Sequence, residues 1–437
     1  MKHLLRTSVF SLFAAYSSSL GAMEAGDEKA WHDEFLDLGK GSSFYVYKQD
    51  PSVYDTTAIG SIMKQPLIKQ VYINRKVAAG PQDADMEVVS NKISPNSEGD
   101  FTSVKEGTLE FDSAHTYAVA RQVYDMWRGT IDTIKQEHEA SSDFQRIERH
   151  WDARDYGILK INAHAGTDVK NAYYFRNGKV RKLNFFDFNN GEGKTICTAR
   201  SSDVVAHETG HAILDIIQPG YYDTSKLQTG GLHEAFGDIT SLFFILNQDD
   251  LAENLLVSTK GNLHLPNFAS FLAEEFGQAK GLLSLRDADN DYTLNQVEQD
   301  AHEVSQVFTG AVYDSFVRGF NDACKIMRGQ HRLTQVLQDT AGYYRRLLLH
   351  SIINDTSGAP SFRNIANTMI DLSVSYAKTS NHYLKDLPWK AYIDEEFARR
   401  DILIESHVAP LKPEAKIGRK VGICGTLSHK YISHQAE

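Results

Sequence analysis

The chain has 437 residues and only three cysteines: Cys197, Cys324 and Cys424. None stands in a C-x-x-C spacing, which excludes a thiolate metal site by pattern. Three cysteines also exclude a disulfide-dense scaffold. They allow at most one bridge, and three lone buried thiols are the equal alternative. No basic excess is present, since 46 Lys and Arg against 57 Asp and Glu give a formal net charge of -11. Phosphate binding needs a basic face, so this balance argues against a nucleic-acid partner. Beyond the N-terminal segment no stretch reaches the ~18 apolar residues that cross a bilayer, so no membrane span is expected in the mature chain.

The rest of the composition is ordinary, 41% hydrophobic and 24% charged. That suits two domains or one large domain with a split core. At the N-terminus, Lys2 and Arg6 precede the uncharged stretch Thr7–Met23, with small residues at Ser17–Ser19, Gly21 and Ala22. This is the pattern of an export signal over residues 1–25, and it predicts a secreted or periplasmic protein. A buried N-terminal helix is the alternative.

Residues 26–104 are polar and broken, with short apolar alternations at Phe44–Tyr47 and Val71–Ile73. They read as a small β-rich or irregular region, a propeptide remnant or a linker. A helical pattern begins near Ser113. Strand-like runs follow at Gly157–Ile161 and Ala172–Phe175, and Asn177-Gly178 signals a hairpin into Val180–Phe186. Helical periodicity is predicted over 202–217, 232–246, about 265–276, 302–320, 331–353, 361–377 and 391–405. The tail 408–437 reads as irregular. The expected fold class is α+β, with a mixed β/α half over 105–217 and a mainly helical half over 218–407.

His207 and His211 are four residues apart, hence on one face of a helix, where both imidazoles can reach one tetrahedral zinc. Ser201 or Ser202 can cap this helix, and Gln218-Pro219-Gly220 stops it. Glu208 sits beside the first histidine, placed to act as general base on a metal-polarised water. H-E-x-x-H arises by chance in roughly a few per cent of such chains, so the pentapeptide alone decides little. The next helix strengthens it. After the glycine turn Gly230-Gly231, Glu234 and Asp238 again share one face. Glu234 can be the third zinc ligand, and Asp238 can orient a liganding histidine through its far ring nitrogen.

These two motifs, His207-Glu208-Thr209-Gly210-His211 and Gly230–Asp238, resemble those of the thermolysin-like zinc metallopeptidases. The resemblance extends to Phe111–Tyr117, to Asn171-Ala172-Tyr173-Tyr174, to Leu285-Arg286-Asp287 and to Asp300–Gln306. It implies a thermolysin-like fold with the cleft between the two halves, and a Zn2+ endopeptidase acting on proteins or peptides. Zinc would sit on His207, His211 and Glu234, with Glu208 activating water. His302 would stabilise the oxyanion, helped by Tyr221 or Tyr222. Arg286 would hold a substrate carbonyl, Asn171 and Ala172 the peptide backbone, and Val204 would line an apolar specificity pocket. A monomer is expected.

Departures from the family pattern are specific. The gap from His211 to Glu234 is longer than usual, which leaves Tyr221 and Tyr222 both open. His233 stands where the family has asparagine and reads as a neighbour of the ligands or an exposed residue. Asp300 or Glu298 would orient His302. Ile245 replaces an acid of the family's double-calcium site, so Ca2+ is not expected there. Asp287, Asp289 and Asp291 begin an EF-hand-like series that could hold calcium, but Tyr292 falls where the turn needs glycine. These departures also motivate a second reading: a catalytically impaired, zinc-bound relative acting as a secreted binding protein.

Overall fold

The computed structural model describes residues 41–53, 67–137, 142–152, 155–327, 331–379, 382–403 and 423–425. The export signal expected over 1–25 lies outside them, as does the tail 408–437 except for 423–425. About half of the described residues are helical, in a mixed α+β architecture whose sheets lie mostly in the N-terminal part.

The alternation at Phe44–Tyr47 places Phe44 and Val46 inward, and the segment forms β1 (Ser42–Tyr47), antiparallel to β2 (Ile68–Ile73). β1 packs on α1 (Leu109–Glu137), where Phe44 meets Tyr117 and stacks on Phe101 at 4.7 Å. The described part of the N-terminal region thus shares one continuous hydrophobic core with the rest. Along α1, Val123, Trp127, Ile131 and Ile134 recur at helical spacing and are fully buried. Each such side chain contributes about 1.5–3 kcal/mol by leaving water.

Following α2 (Ser142–Trp151), β4 (Leu159–Asn162), β5 (Ala172–Asn177) and β6 (Val180–Phe185) form a mixed sheet with the earlier strand β3 (Met86–Val88). β3, β4 and β6 run parallel, and β5 turns back on β6 through Asn177-Gly178, with Gly178 at φ +56° as the tight turn requires. β7 (Asp187–Asn189) pairs with β8 (Thr195–Cys197). The helices then follow: α3 (Ser202–Ile217), α4 (Pro219–Tyr222), α5 (Leu227–Leu246) and α6 (Asp249–Thr259). β9 (Phe271–Leu272), α7 (Glu274–Gln278) and β10 (Arg286–Asp287) lead to α8 (Ala301–Ile326), α9 (Leu333–Ile353), α10 (Phe362–Thr379) and α11 (Trp389–Arg399). Finally β11 (Ile423–Gly425) adds antiparallel to the outer edge of β5.

The helical periodicity differs from the structure at three places, one of them α6, which it does not predict. Gly230 and Gly231 lie inside α5 and do not make a turn before it. A Cβ on Gly231 would stand 2.6 Å from Val304 Cγ2, so the glycine serves the contact with α8. The stretch 265–276 is mostly loop. Asn267 organises it by accepting from the amides of Ala269 and Ser270 and donating to the carbonyls of Leu263 and Leu265.

Among the described residues, no helix is long and apolar enough to cross a membrane. Cys197 and Cys324 are free thiols. Cys197 is buried, which pushes its pKa up to about 11.

Candidate metal centre

Every residue of α3 is buried, so this helix must be packed on all sides. Its closest neighbour is α5, and small residues let the backbones meet. A Cβ on Gly210 would lie 2.8 Å from Thr240 Oγ1 and 3.2 Å from Gly237 Cα. A Cβ on Gly237 would lie 2.7 Å from the His207 ring. Gly237 therefore makes the space in which His207 stands. Trp127 of α1 clamps the pair by donating to Thr240 Oγ1 at 3.1 Å and stacking on Phe236 at 4.7 Å.

This packing brings the two predicted motifs together. His207 Nε2 lies 3.4 Å from Glu234 Oε2, and His211 Nε2 lies 3.6 Å from Glu234 Oε1. Two ligands about 2.0–2.1 Å from one tetrahedral zinc stand about 3.4 Å apart, so these spans suit a shared ion. His207 Nε2 and Glu208 Oε1 are buried without a hydrogen-bond partner, and ligand atoms of His207, Glu208 and His211 lie within 4.8 Å of one another. Two imidazoles and a carboxylate converging on one point fit the donor set of a catalytic zinc.

Outer contacts fix each ligand. His207 Nδ1 lies 2.9 Å from Asp238 Oδ1, the orienting contact expected from the Glu234/Asp238 spacing. His211 Nδ1 lies 2.8 Å from His233 Nδ1, so one ring donates to the other. His233 is buried beside the centre, in the role of a support for His211. Glu208 Oε2 accepts from the amide of Tyr174 on β5 at 2.8 Å, which ties the sheet to the centre.

The electrostatics follow from burial and charge pairing. Burial favours a neutral His207, but the contacts to Asp238 and Glu234 outweigh it and lift the group to about 9. Burial, aided by His207, His233 and Arg286, outweighs Glu234 and holds His211 well below the ordinary histidine range. Burial likewise pushes Glu208 up to about 8. It also opposes ionisation of Glu234, yet His302, His211 and His207 hold that carboxyl well below its usual range.

More distant segments complete the surroundings. His302, in the first turn of α8, places Nε2 3.4 Å from Glu234 Oε2. Its Nδ1 lies 3.3 Å from Asp300 Oδ1, so Asp300, the cap of α8, is the acid on this histidine. Arg286 is buried, with Nη1 3.5 Å from Glu234 Oε2 and Nε 3.4 Å from Asp238 Oδ1. A small recess beside His207 is lined by Val204, Leu272 and Leu285 together with Asp203, Asp238 and Arg286. Asn171 and Ala172 are buried at the start of β5.

The two tyrosines diverge. Tyr221 donates to Asp355 Oδ2 at 2.9 Å. Tyr222 accepts from the Arg176 amide at 3.0 Å, with its ring 5.9 Å from that of His233. Neither hydroxyl makes these bonds to the histidine centre. Of the EF-hand-like acids, Asp289 contacts His264 at 2.9 Å and Asp291 contacts Arg399 at 3.5 Å. Asp287 turns back on its own loop and accepts from the Asp289 amide at 3.0 Å. Ile245 is fully buried in the core.

Sequence reading left His233 between two roles and gave none to Gly237 or His164. For His233, its place one residue before a ligand was the available signal. For Gly237, it was a glycine inside an apolar helix facing a histidine.

No protein-family model matches this chain, and a search of curated proteins gives no match.

Proposed function

We propose that this chain is a zinc-dependent endopeptidase of the thermolysin-like type. The reading rests on one observation: the Nε2 atoms of His207 and His211 and the carboxylate of Glu234 converge, with Glu208 buried beside them. Zinc, when bound by these three residues, supplies a Lewis acid that polarises water and a peptide carbonyl.

The chain's own residues have the following parts. Glu208, oriented by the Tyr174 amide, takes a proton at its free Oε1 and returns it to the leaving amine. His302, oriented by Asp300, donates toward developing negative charge. Val204 and Leu285 would face an apolar substrate side chain, and Arg286, buried against Glu234 and Asp238, would donate to a substrate carbonyl. The outer edge of β5 already takes an extended segment, Ile423–Gly425, in antiparallel pairing. A peptide substrate would add to this edge by displacing that segment. Residues 1–25 fit an export signal, so the proposed activity is extracytoplasmic.

A second reading is a zinc-bound protein with impaired catalysis. It is favoured by the engagement of Tyr221 with Asp355 and of Tyr222 with Arg176. Hydrolysis of a quenched peptide library separates the two. The peptidase reading expects cleavage that a zinc chelator abolishes. It also expects Glu208→Gln to keep its zinc while cleavage falls on the order of 10²–10⁴-fold. Cleavage that survives both treatments sinks the mechanism. A folded, zinc-loaded wild type that cuts nothing selects the binding reading.

A further inference from the structure

Strands β3, β4, β6 and β5 lie side by side in that order, and β5 would be the open edge if nothing paired beyond it. An open edge presents a row of N–H and C=O groups that seek partners. Here the partner is a distant piece of the same chain. β11 runs antiparallel along β5, with Ile423 opposite Phe175, Cys424 opposite Tyr174 and Gly425 opposite Tyr173.

The place of this pairing gives it meaning. The Tyr174 amide donates to Glu208 Oε2 at 2.8 Å, so β11 passes the backbone of the residue that holds the proposed general base. The same strand begins at Ala172, which with Asn171 would hold the backbone of a substrate. The sequence there also suits an edge. Residues 421–428 carry no charge and no proline, whereas Pro410, Pro413, Glu414, Arg419 and Lys420 precede them. A proline lacks the N–H that a ladder needs, so the tail is fit to pair only beyond that stretch. The pairing is short, with three residue pairs against six between β5 and β6. A contact half as long is the easier one to displace.

We propose that the outer edge of β5 is a docking edge for the chain's own C-terminal segment around Cys424, which competes there with an extended peptide. The pairing stands without the peptidase reading. Its consequence, restraint of cleavage by the chain's own tail, rests on that reading.

The test uses the full chain, loaded with zinc and carrying Glu208→Gln so that the probe is not cut. The probe is a fluorescent peptide copying residues 419–429, read by anisotropy. The comparison is with Ile423→Pro/Cys424→Pro in the same background. Neighbouring residues of an antiparallel strand alternate in facing the ladder, so one of the two lost amides faces β5. A tethered segment competes at about millimolar effective concentration, so an affinity of about 0.1 mM for the edge weakens the probe about tenfold. The proline variant should therefore bind the probe about tenfold more tightly. Equal binding overturns the proposal, and so does binding by neither. With Glu208 restored, the proline variant should cut a quenched peptide library with KM lowered about tenfold and kcat unchanged. Added peptide 419–429 should raise KM again. Cleavage with an unchanged KM overturns the proposal. Cleavage by neither chain sinks the peptidase reading alone, and the binding comparison still decides the docking edge. If the proline variant fails to fold, hydrogen exchange of wild type decides. The amides of 423–425 should exchange faster when the probe saturates the chain, and unchanged exchange overturns the proposal.

Discussion

Helix α3 faces two buried carboxylates that are opposite in character. Glu234 is surrounded by His207, His211, His302 and Arg286, and these neighbours outweigh burial and hold its carboxyl well below the usual carboxylate range. Glu274 is buried to a similar degree, but burial and its acidic neighbours Asp203 and Asp50 push it well above that range. Depth is therefore not what sets the state of a buried acid here. The sign of its neighbours is, as expected where the dielectric is low and pairing decides the outcome. The first environment suits a ligand kept anionic by a positive surround. The second suits a carboxyl group that keeps its proton.

Three measurements sharpen this contrast, beginning with the largest effect. Asp238→Asn removes the anion on the far nitrogen of His207 while keeping the shape. It should weaken zinc affinity about 10–100-fold, measured by competition with a chromophoric chelator. An unchanged affinity would mean that Asp238 does not support the ligand. Next, Gly237→Ala puts a methyl group 2.7 Å from the His207 ring. It should destabilise the protein by about 1–3 kcal/mol and lower zinc occupancy. Gly129→Ala is the control, since its Cβ meets nothing within 4 Å. Equal behaviour of the two variants would refute the space-making role of Gly237.

The smallest effect concerns a third centre, intermediate between the other two. Asp112 is buried but paired with Arg200 through two 2.8 Å bonds and with His164 at 3.2 Å. Burial would lower His164, yet Asp112 and Asp187 lift it to about 11. A folded pKa above the unfolded value of about 6.5 means the contribution is complete below pH ~6.5 and fades as pH rises toward 11. His164→Asn should therefore cost about 1–2 kcal/mol near pH 6 and progressively less at pH 8 and 10, by urea unfolding. A gap that does not shrink with pH would show that His164 acts by packing rather than charge.

Much of the local structure was legible. The strand alternation at Phe44–Tyr47, the Asn177-Gly178 turn and the helical run from Ser202 to Gln218 each carry their own period or breaker. Periodicity does not predict α6, and it predicts a helix over 265–276 where Asn267 instead bonds the loop backbone. Ser201 looked like a cap, but its hydroxyl serves Asp50 and Asp203. Spacing alone offers no way to tell these uses apart.

By itself, the sequence determined that His207 and His211 share one helix face, that Glu208 stands beside them, and that Glu234 and Asp238 share another. These are consequences of 3.6 residues per turn. Only the tertiary structure decided that the two faces meet, through Gly210 and Gly237. It also decided that His302 and Arg286 reach Glu234, that His233 supports His211, and that Asp50 comes to lie against Asp203. Helical spacing fixes which side chains point the same way along one element. Which elements then face each other is decided by packing of the whole core, where contacts form between residues far apart in the chain.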